Sequence, residues 1–273
     1  MNKVFNAYQL LNLKLSKFVL DSFNQHFDKN LRRLIFHTDT APMILPESLR
    51  KELMDISVQT EDGLELSGLY KASQSGKPTF VFFHGNGSNH SINAHNAQYY
   101  IEQGYGFLSA GYRGYNNDPG QPSEQGLYKD ARAWLDLLTE QYSIPQSNII
   151  LHGRSLGTGV ATQMALDFPQ VKALVLESPY TCLPDVAAGL PIIAPFHTYM
   201  KDEFNNLAKI EKISAPLFII QGSKDDIVPP SQGMQVFDKA TSNKARIEFP
   251  DAGHADIPRQ AATKAVIDFI HTL

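Results

Sequence analysis

Cysteine is all but missing from this sequence: Cys182 stands alone in 273 residues. A single cysteine excludes an internal disulfide framework, and without a C-x-x-C pair it offers no redox or metal site. It reads as a small core or near-surface residue, and the lack of disulfides fits a reducing, cytoplasmic setting. Long apolar runs are missing too. No stretch approaches the ~18 uncharged apolar residues of a membrane span. The leucine-rich N-terminus is broken by Asn12, Lys14, Ser16 and Lys17, with no small-residue cleavage site after it, so it reads as neither signal peptide nor anchor. Positive charge is not in excess: 24 basic against 28 acidic residues leave a net charge of −4, and the longest basic run is Arg32-Arg33. That is no footprint for a nucleic-acid partner. Internal repeats and low-complexity segments are also absent.

What is present is a folded chain. An apolar fraction of 42% with 19% charged residues supports a sizeable core and argues against disorder. Over residues 5–36, Tyr8, Leu11, Leu15, Phe18, Phe23, Phe27, Leu31 and Leu34 recur at helical spacing. This predicts one or two helices packed on the main domain; the alternative is an amphipathic segment in peripheral contact with a membrane or partner. Pro42 and Pro46 mark a linker, which divides the chain into a helical extension, 1–45, and a main domain, 46–273. Within the domain, alternating apolar residues flank Asp62-Gly63, a strong hairpin signal. Short, nearly continuous apolar runs follow: Thr79–Phe83, Gly106–Ala110, Asn148–Leu151, Ala173–Leu176, Leu217–Ile220 and Arg246–Phe249. Helical segments near 93–103, 123–141, 156–167, 229–240 and 257–271 separate most of them. Buried strands alternating with helices predict an α/β fold: a parallel sheet covered on both faces, with the hairpin at one edge. Between Leu176 and Leu217 a longer insertion is broken by Pro184, Pro191 and Pro195. It reads as a small lid, about 181–214, or as a plain helix and loop.

Gly153-Arg154-Ser155-Leu156-Gly157 has the G-x-S-x-G form and sits between a strand and a helix, the context that gives this common pattern weight. A serine on a sharp strand-to-helix turn adopts strained dihedrals, and side chains two residues either side would crowd the turn; glycine removes that clash. The N-terminus of the following helix favours developing negative charge. A nucleophilic serine needs a base, and the base an orienting acid. Of nine histidines, His254 follows the last strand and precedes the last helix, where open α/β sheets place their ligands. His84 belongs to another motif, and His152 is too close along the turn to face Ser155. His26, His37, His90, His95, His197 and His271 carry no catalytic role. The acid is expected between Ser155 and His254 in sequence. Asp225 is preferred over Asp226; Glu177, ending an earlier strand, is the remaining candidate. His84-Gly85-Asn86-Gly87 follows another strand. The backbone N–H groups of Asn86 and Leu156 are the expected oxyanion donors, with His84 pinning the loop. In the insertion, Leu183, Val186, Leu190, Ile192, Ile193 and Phe196 are the candidate lining of an acyl pocket, unless they merely pack on the sheet.

Taken together these residues resemble the α/β-hydrolase superfamily, and more narrowly its ABHD-type serine hydrolases with a short cap, over about residues 54–271. The resemblance rests on His84-Gly85-Asn86-Gly87, Tyr112-Arg113-Gly114-Tyr115, the phrase from Pro122 to Asp130, Gly153 to Gly157, Glu177-Ser178-Pro179-Tyr180, Gly222 to Pro229 and Ala252-Gly253-His254. Gly87 stands where such proteins often have alanine. The resemblance implies a mostly parallel eight-stranded sheet with helices on both faces and a small lid. It also implies a Ser155–Asp225–His254 triad, no metal or organic cofactor, and esterase, thioesterase or lipase-like activity on a small-molecule acyl ester or thioester. Two alternatives stand beside this. A peptidase of the same fold would use acidic lid residues such as Asp185, Asp202 and Glu203 to hold a substrate ammonium. A non-catalytic binding module would use the scaffold without the chemistry.

Overall fold

The computed structural model describes residues 28–38, 41 and 44–273. Helix α1 covers 28–35. After it come α2 (Glu47–Glu52), β1 (Met54–Gln59), β2 (Glu65–Lys71), β3 (Thr79–Phe83), α3 (His90–Asn93), α4 (Ala97–Glu102), β4 (Gly106–Ala110) and α5 (Glu124–Asp136). The chain continues through β5 (Ile149–Arg154), α6 (Leu156–Asp167), β6 (Ala173–Glu177), α7 (Leu183–Ala188), α8 (Asn206–Ile210), β7 (Leu217–Gly222), α9 (Pro230–Lys239), β8 (Lys244–Phe249) and α10 (Arg259–Ile270).

The strands form one eight-stranded sheet in the order β1-β2-β4-β3-β5-β6-β7-β8. The β1–β2 and β2–β4 pairs are antiparallel, and the rest are parallel. The turn at Asp62-Gly63 joins β1 and β2, with Gly63 at φ +83°, a region that glycine enters without steric cost. Strands β3, β4, β6 and β7 are buried along their whole length, which is why they read as unbroken apolar runs. Two apolar clusters cover the faces. One joins β-strand side chains to α5, α6 and α9 through Trp134, Val160 and Val236; the other joins them to α2, α4 and α10 through Leu49, Tyr100 and Val266.

Several expected elements differ in detail. The segment near 93–103 is α3, a 3₁₀ turn at Ala94–Asn96 and α4, with Asn89 capping the first by accepting from Ser91 N and Ile92 N. Helix α5 begins at the Ser123 cap and passes into a single π turn at Leu137–Gln141. Most of the amphipathic N-terminal segment lies outside the described residues. In its described part, Leu31, Ile35 and Phe36 are buried and Leu34 is 44% exposed. The inward face therefore runs through 31, 35 and 36, not 31 and 34. No helix among the described residues is long and apolar enough to cross a membrane.

The order in which strands join the sheet reverses at β3: β4 lies on one side of it and β5 on the other, all three parallel. A sheet of this kind opens a crevice at the carboxyl ends of the two strands flanking such a switch. The loops after β3, β5, β7 and β8 all emerge at that end.

Candidate active site

Ser155 follows β5 and precedes α6, with φ 50° and ψ −119°. Such a conformation costs on the order of 1–3 kcal/mol in a non-glycine residue and persists only where the surroundings impose it. Here they do. A methyl group at Gly157 would overlap the Phe83 carbonyl at the end of β3, and one at Gly153 would lie 2.8 Å from Ala161 Cβ. The glycines flanking the serine thus let strand, turn and helix approach each other. A methyl at Gly159 would come within 2.6 Å of Tyr180 Oη and Phe204 Cβ, so this glycine seats α6 against the insertion.

Ser155 Oγ lies 3.0 Å from His254 Nε2, and His254 Nδ1 lies 2.8 Å from Asp225 Oδ2. A carboxylate can only accept, so the ring proton sits on Nδ1 and leaves Nε2 free to accept from the serine hydroxyl. Asp225 is buried. Its Oδ1 accepts Ile227 N–H and Val228 N–H at 3.1 and 2.8 Å, and Oδ2 also accepts from Gln221 Nε2 at 3.3 Å. Burial raises the Asp225 carboxyl pKa, but the bonds from His254 and the two backbone amides outweigh it and hold the group below its usual range. The adjacent Asp226 is exposed. Glu177 points elsewhere: it receives Arg259 Nη1 at 2.7 Å and Arg154 Nε at 3.0 Å. Burial would raise its pKa, yet Arg259, His152 and Arg154 together hold it well below the ordinary value. Arg154 Nη2 also donates to the His254 carbonyl at 3.1 Å. This arginine, unremarked in the sequence, ties the histidine loop to the end of β5.

The loop after β3 brings Gly85 against the nucleophile: a methyl there would sit 3.2 Å from Ser155 Cβ. Gly87, at φ +65°, turns the chain away. Leu156 is the first residue of α6, and the first N–H groups of a helix have no partner within it. His84 is fully buried, 3.0 Å from Gly85 O through Nδ1, with its ring packed on Tyr112 at 4.1 Å. Burial pushes its pKa down to about 3, so it stays neutral at physiological pH. His152 is buried under Tyr100, away from Ser155.

A cavity of about 90 Å³ opens beside Ser155. Leu183, Val186, Leu190 and Ile193 line it. Ile192 and Phe196 do not: they are 75% and 36% exposed, on the outer side of the insertion. Sequence reasoning also missed Ile35, Tyr180, Ala187, Met200, Ile227 and Val228, which line it as well. Three come from segments with other apparent roles: Ile35 from the N-terminal extension, and Ile227 and Val228 from the acid's own loop. The acidic insertion residues do not face this cavity. Asp202 pairs with Arg32 at 2.6 Å, and Asp185 accepts the Thr181 hydroxyl. A groove of about 450 Å³ between β1 and α5 is larger but contains none of these groups.

Two of the phrases that carry the resemblance, Tyr112–Tyr115 and Pro122–Asp130, are scaffolding. Arg113 bridges the hairpin turn and α5, donating to Asp62 at 2.8 and 2.9 Å and to Asp130 at 2.8 Å. Tyr115 Oη donates to Asn86 Oδ1 at 3.0 Å. Among the described residues no group of three or more histidine, cysteine or acidic side chains could hold a metal ion.

An eight-stranded sheet of this order, with a strained serine after β5 and an imidazole–carboxylate pair after β8 and β7, defines a class. The chain belongs to the α/β-hydrolase fold family, whose profile matches residues 78–197 and 195–258, and within it to the ABHD type. It is 34% identical over 241 residues to an uncharacterized protein of Mycobacterium tuberculosis, covering 88% of this chain and 85% of that one. It is 31% identical over 207 residues to human alpha/beta hydrolase domain-containing protein 17B, covering 73% and 68% respectively. An esterase of Pyrococcus furiosus has the same fold, with a TM-score of 0.68 at 20% identity over 87% of this chain and 96% of that one.

Proposed function

We propose that this protein is a serine hydrolase that cleaves carboxylic ester or thioester bonds through an acyl-enzyme. The observation that carries the reading is the continuous chain from Ser155 Oγ through His254 to Asp225, opening on an apolar cavity. Ser155 Oγ attacks the carbonyl carbon as His254 Nε2 takes its proton. Negative charge gathers on the carbonyl oxygen, where the Asn86 and Leu156 N–H groups stabilise it; losing one such donor costs about 3 kcal/mol. Collapse of the tetrahedral adduct breaks the bond to the alcohol or thiol, which leaves with the proton from His254. Water, activated by the same imidazole, then adds to the acyl-serine and releases the acid. Asp225 holds the ring in the tautomer this requires and stabilises the imidazolium.

The cavity is small and apolar, which suits short to medium acyl chains. An amine-holding carboxylate is not among its lining residues, which weighs against the aminopeptidase alternative. The test is hydrolysis of p-nitrophenyl esters by wild type and Ser155→Ala. Wild type should turn them over and the variant should lose several orders of magnitude; residual activity within tenfold contradicts the assignment.

A further inference from the structure

The serine-hydrolase reading asks only a backbone N–H of Asn86, yet its side chain is more fully engaged than that role requires. Nδ2 donates to Ile35 O at 2.6 Å, and Oδ1 accepts from His37 N at 2.8 Å and from Tyr115 Oη at 3.0 Å. The amide thus bridges the carbonyl of residue 35 and the N–H of residue 37, as a neighbouring strand would. Three residues on, Asn89 Nδ2 donates to Ala41 O at 3.3 Å. Two asparagines of one loop therefore hold the backbone that leads out of α1. That backbone is anchored at its other side as well. Arg32 Nε donates to Asp202 Oδ2 at 2.6 Å, and Asp202 also accepts Glu124 N–H at 2.8 Å. Phe36 packs edge-on against Phe204, with ring centroids 6.4 Å apart. Between these anchors, Ile35 faces the cavity beside Ser155.

We propose that the segment from Ile35 to His37 is a working part of the site: Ile35 is a wall of the acyl pocket that limits chain length, and Asn86 is a positioning residue whose side chain, held by this segment, fixes the loop that presents the oxyanion donor. The proposal rests on the serine-hydrolase reading and extends it to residues outside the main domain. Only a planar amide satisfies the bridge. A carboxylate at 86 accepts from His37 and Tyr115 but cannot donate to Ile35 O, and alanine makes none of the three bonds while keeping the N–H.

The test uses the full chain and p-nitrophenyl esters from acetate to octanoate, with thermal unfolding recorded for each variant. Wild type that turns over no ester contradicts the serine-hydrolase reading itself, before the variants are compared. With wild type active, Asn86→Ala should lower kcat at least tenfold at temperatures well below its unfolding transition, with KM changed less than about threefold. An interaction realised in the transition state moves kcat in this way, and complete loss of one oxyanion donor sets the scale at about 10²–10³. Asn86→Asp should fall between the two. Ile35→Ala should move the chain-length optimum upward, by up to about fourfold for each added methylene that the enlarged pocket buries. Where Asn86→Ala does not fold, Asn86→Asp and Ile35→Ala carry the test. Folded Asn86 variants with kcat within twofold of wild type would overturn the positioning role. An unchanged chain-length profile in Ile35→Ala would overturn the pocket wall.

Discussion

Replacing Asp225 by asparagine tests the hydrogen-bond logic of the site with almost no change in shape. In the native arrangement Oδ1 accepts two backbone N–H groups, from Ile227 and Val228, while Oδ2 accepts His254 Nδ1–H and Gln221 Nε2–H. An asparagine must place its oxygen at the Oδ1 position, because the amide nitrogen there would face two donors. The NH₂ group then points at His254 Nδ1, which must become an acceptor. The ring proton moves to Nε2, 3.0 Å from Ser155 Oγ, where the histidine donates to the serine instead of accepting from it. The base is present in the wrong tautomer. Loss of this kind lowers kcat by about 10⁴, roughly 5 kcal/mol of transition-state stabilisation. The stability change should be far smaller, on the order of 1–2 kcal/mol, from the bond to Gln221 and the lost charge. Kinetics on p-nitrophenyl acetate and urea unfolding separate the two quantities. Asp226→Asn, at an exposed position, should stay within about threefold of wild type. Asp225→Asn within tenfold of wild type, with Asp226→Asn more impaired, would refute this account of the loop.

Three further expectations follow from other parts of the molecule. Ile193→Ala should change the ester chain-length profile, by up to about 0.8 kcal/mol per methylene newly accommodated, whereas Ile192→Ala should leave it unchanged; identical profiles in both would show that the insertion only packs on the sheet. Gly157→Ala should abolish folding or activity, because the new methyl overlaps the Phe83 carbonyl, a backbone atom that cannot rotate away; near-normal stability and kcat would contradict the close packing of strand, turn and helix around Ser155. Burial lowers the pKa of His84 to about 3 and that of His90 to about 4. A group whose folded pKa is depressed contributes stability above its unfolded pKa, near 6.5, and that contribution fades as pH falls towards the folded value. Urea unfolding should therefore show stability declining below about pH 6.5, by up to about 1.4 kcal/mol per pH unit for each such group. His84→Gln should flatten the slope, and an identical slope in that variant would contradict it.

The legibility of this molecule in its sequence follows burial and locality. Strands such as Thr79–Phe83 and Leu217–Gly222 are buried on both faces, so every position but Gln221 is apolar or small and the run announces itself. The glycines around Ser155 are equally plain, since the clash they avoid lies within one strand, turn and helix. Asp225 and His254 follow strands whose carboxyl ends converge, so chain order marks them as candidates, while the choice of Asp225 over Asp226 and Glu177 rests on the loop geometry that puts Asp225 Oδ2 2.8 Å from His254 Nδ1. What escaped was set by contacts between distant segments. Helix α2 is a single short amphipathic turn and half, with Leu49 its one buried residue. The inward face of α1 was shifted because Ile35 and Phe36 sit adjacent, against the helical period, where the chain leaves the helix. Ile192 and Ile193 are neighbours with identical chemistry, and only the path of the insertion decides which one meets the cavity. The amide of Asn86 spends its bonds on residues about fifty positions away, and no local pattern marks such a pairing.

The central claim is that Ser155 is a nucleophile activated by His254. The most direct measurement is labelling of the native protein with a fluorophosphonate, followed by intact mass and peptide mapping. The account predicts one adduct per chain, on the peptide that contains Ser155, and loss of that adduct in both Ser155→Ala and His254→Ala while their unfolding transitions remain cooperative. An unlabelled wild type, or an adduct on another residue that persists in Ser155→Ala, would contradict it.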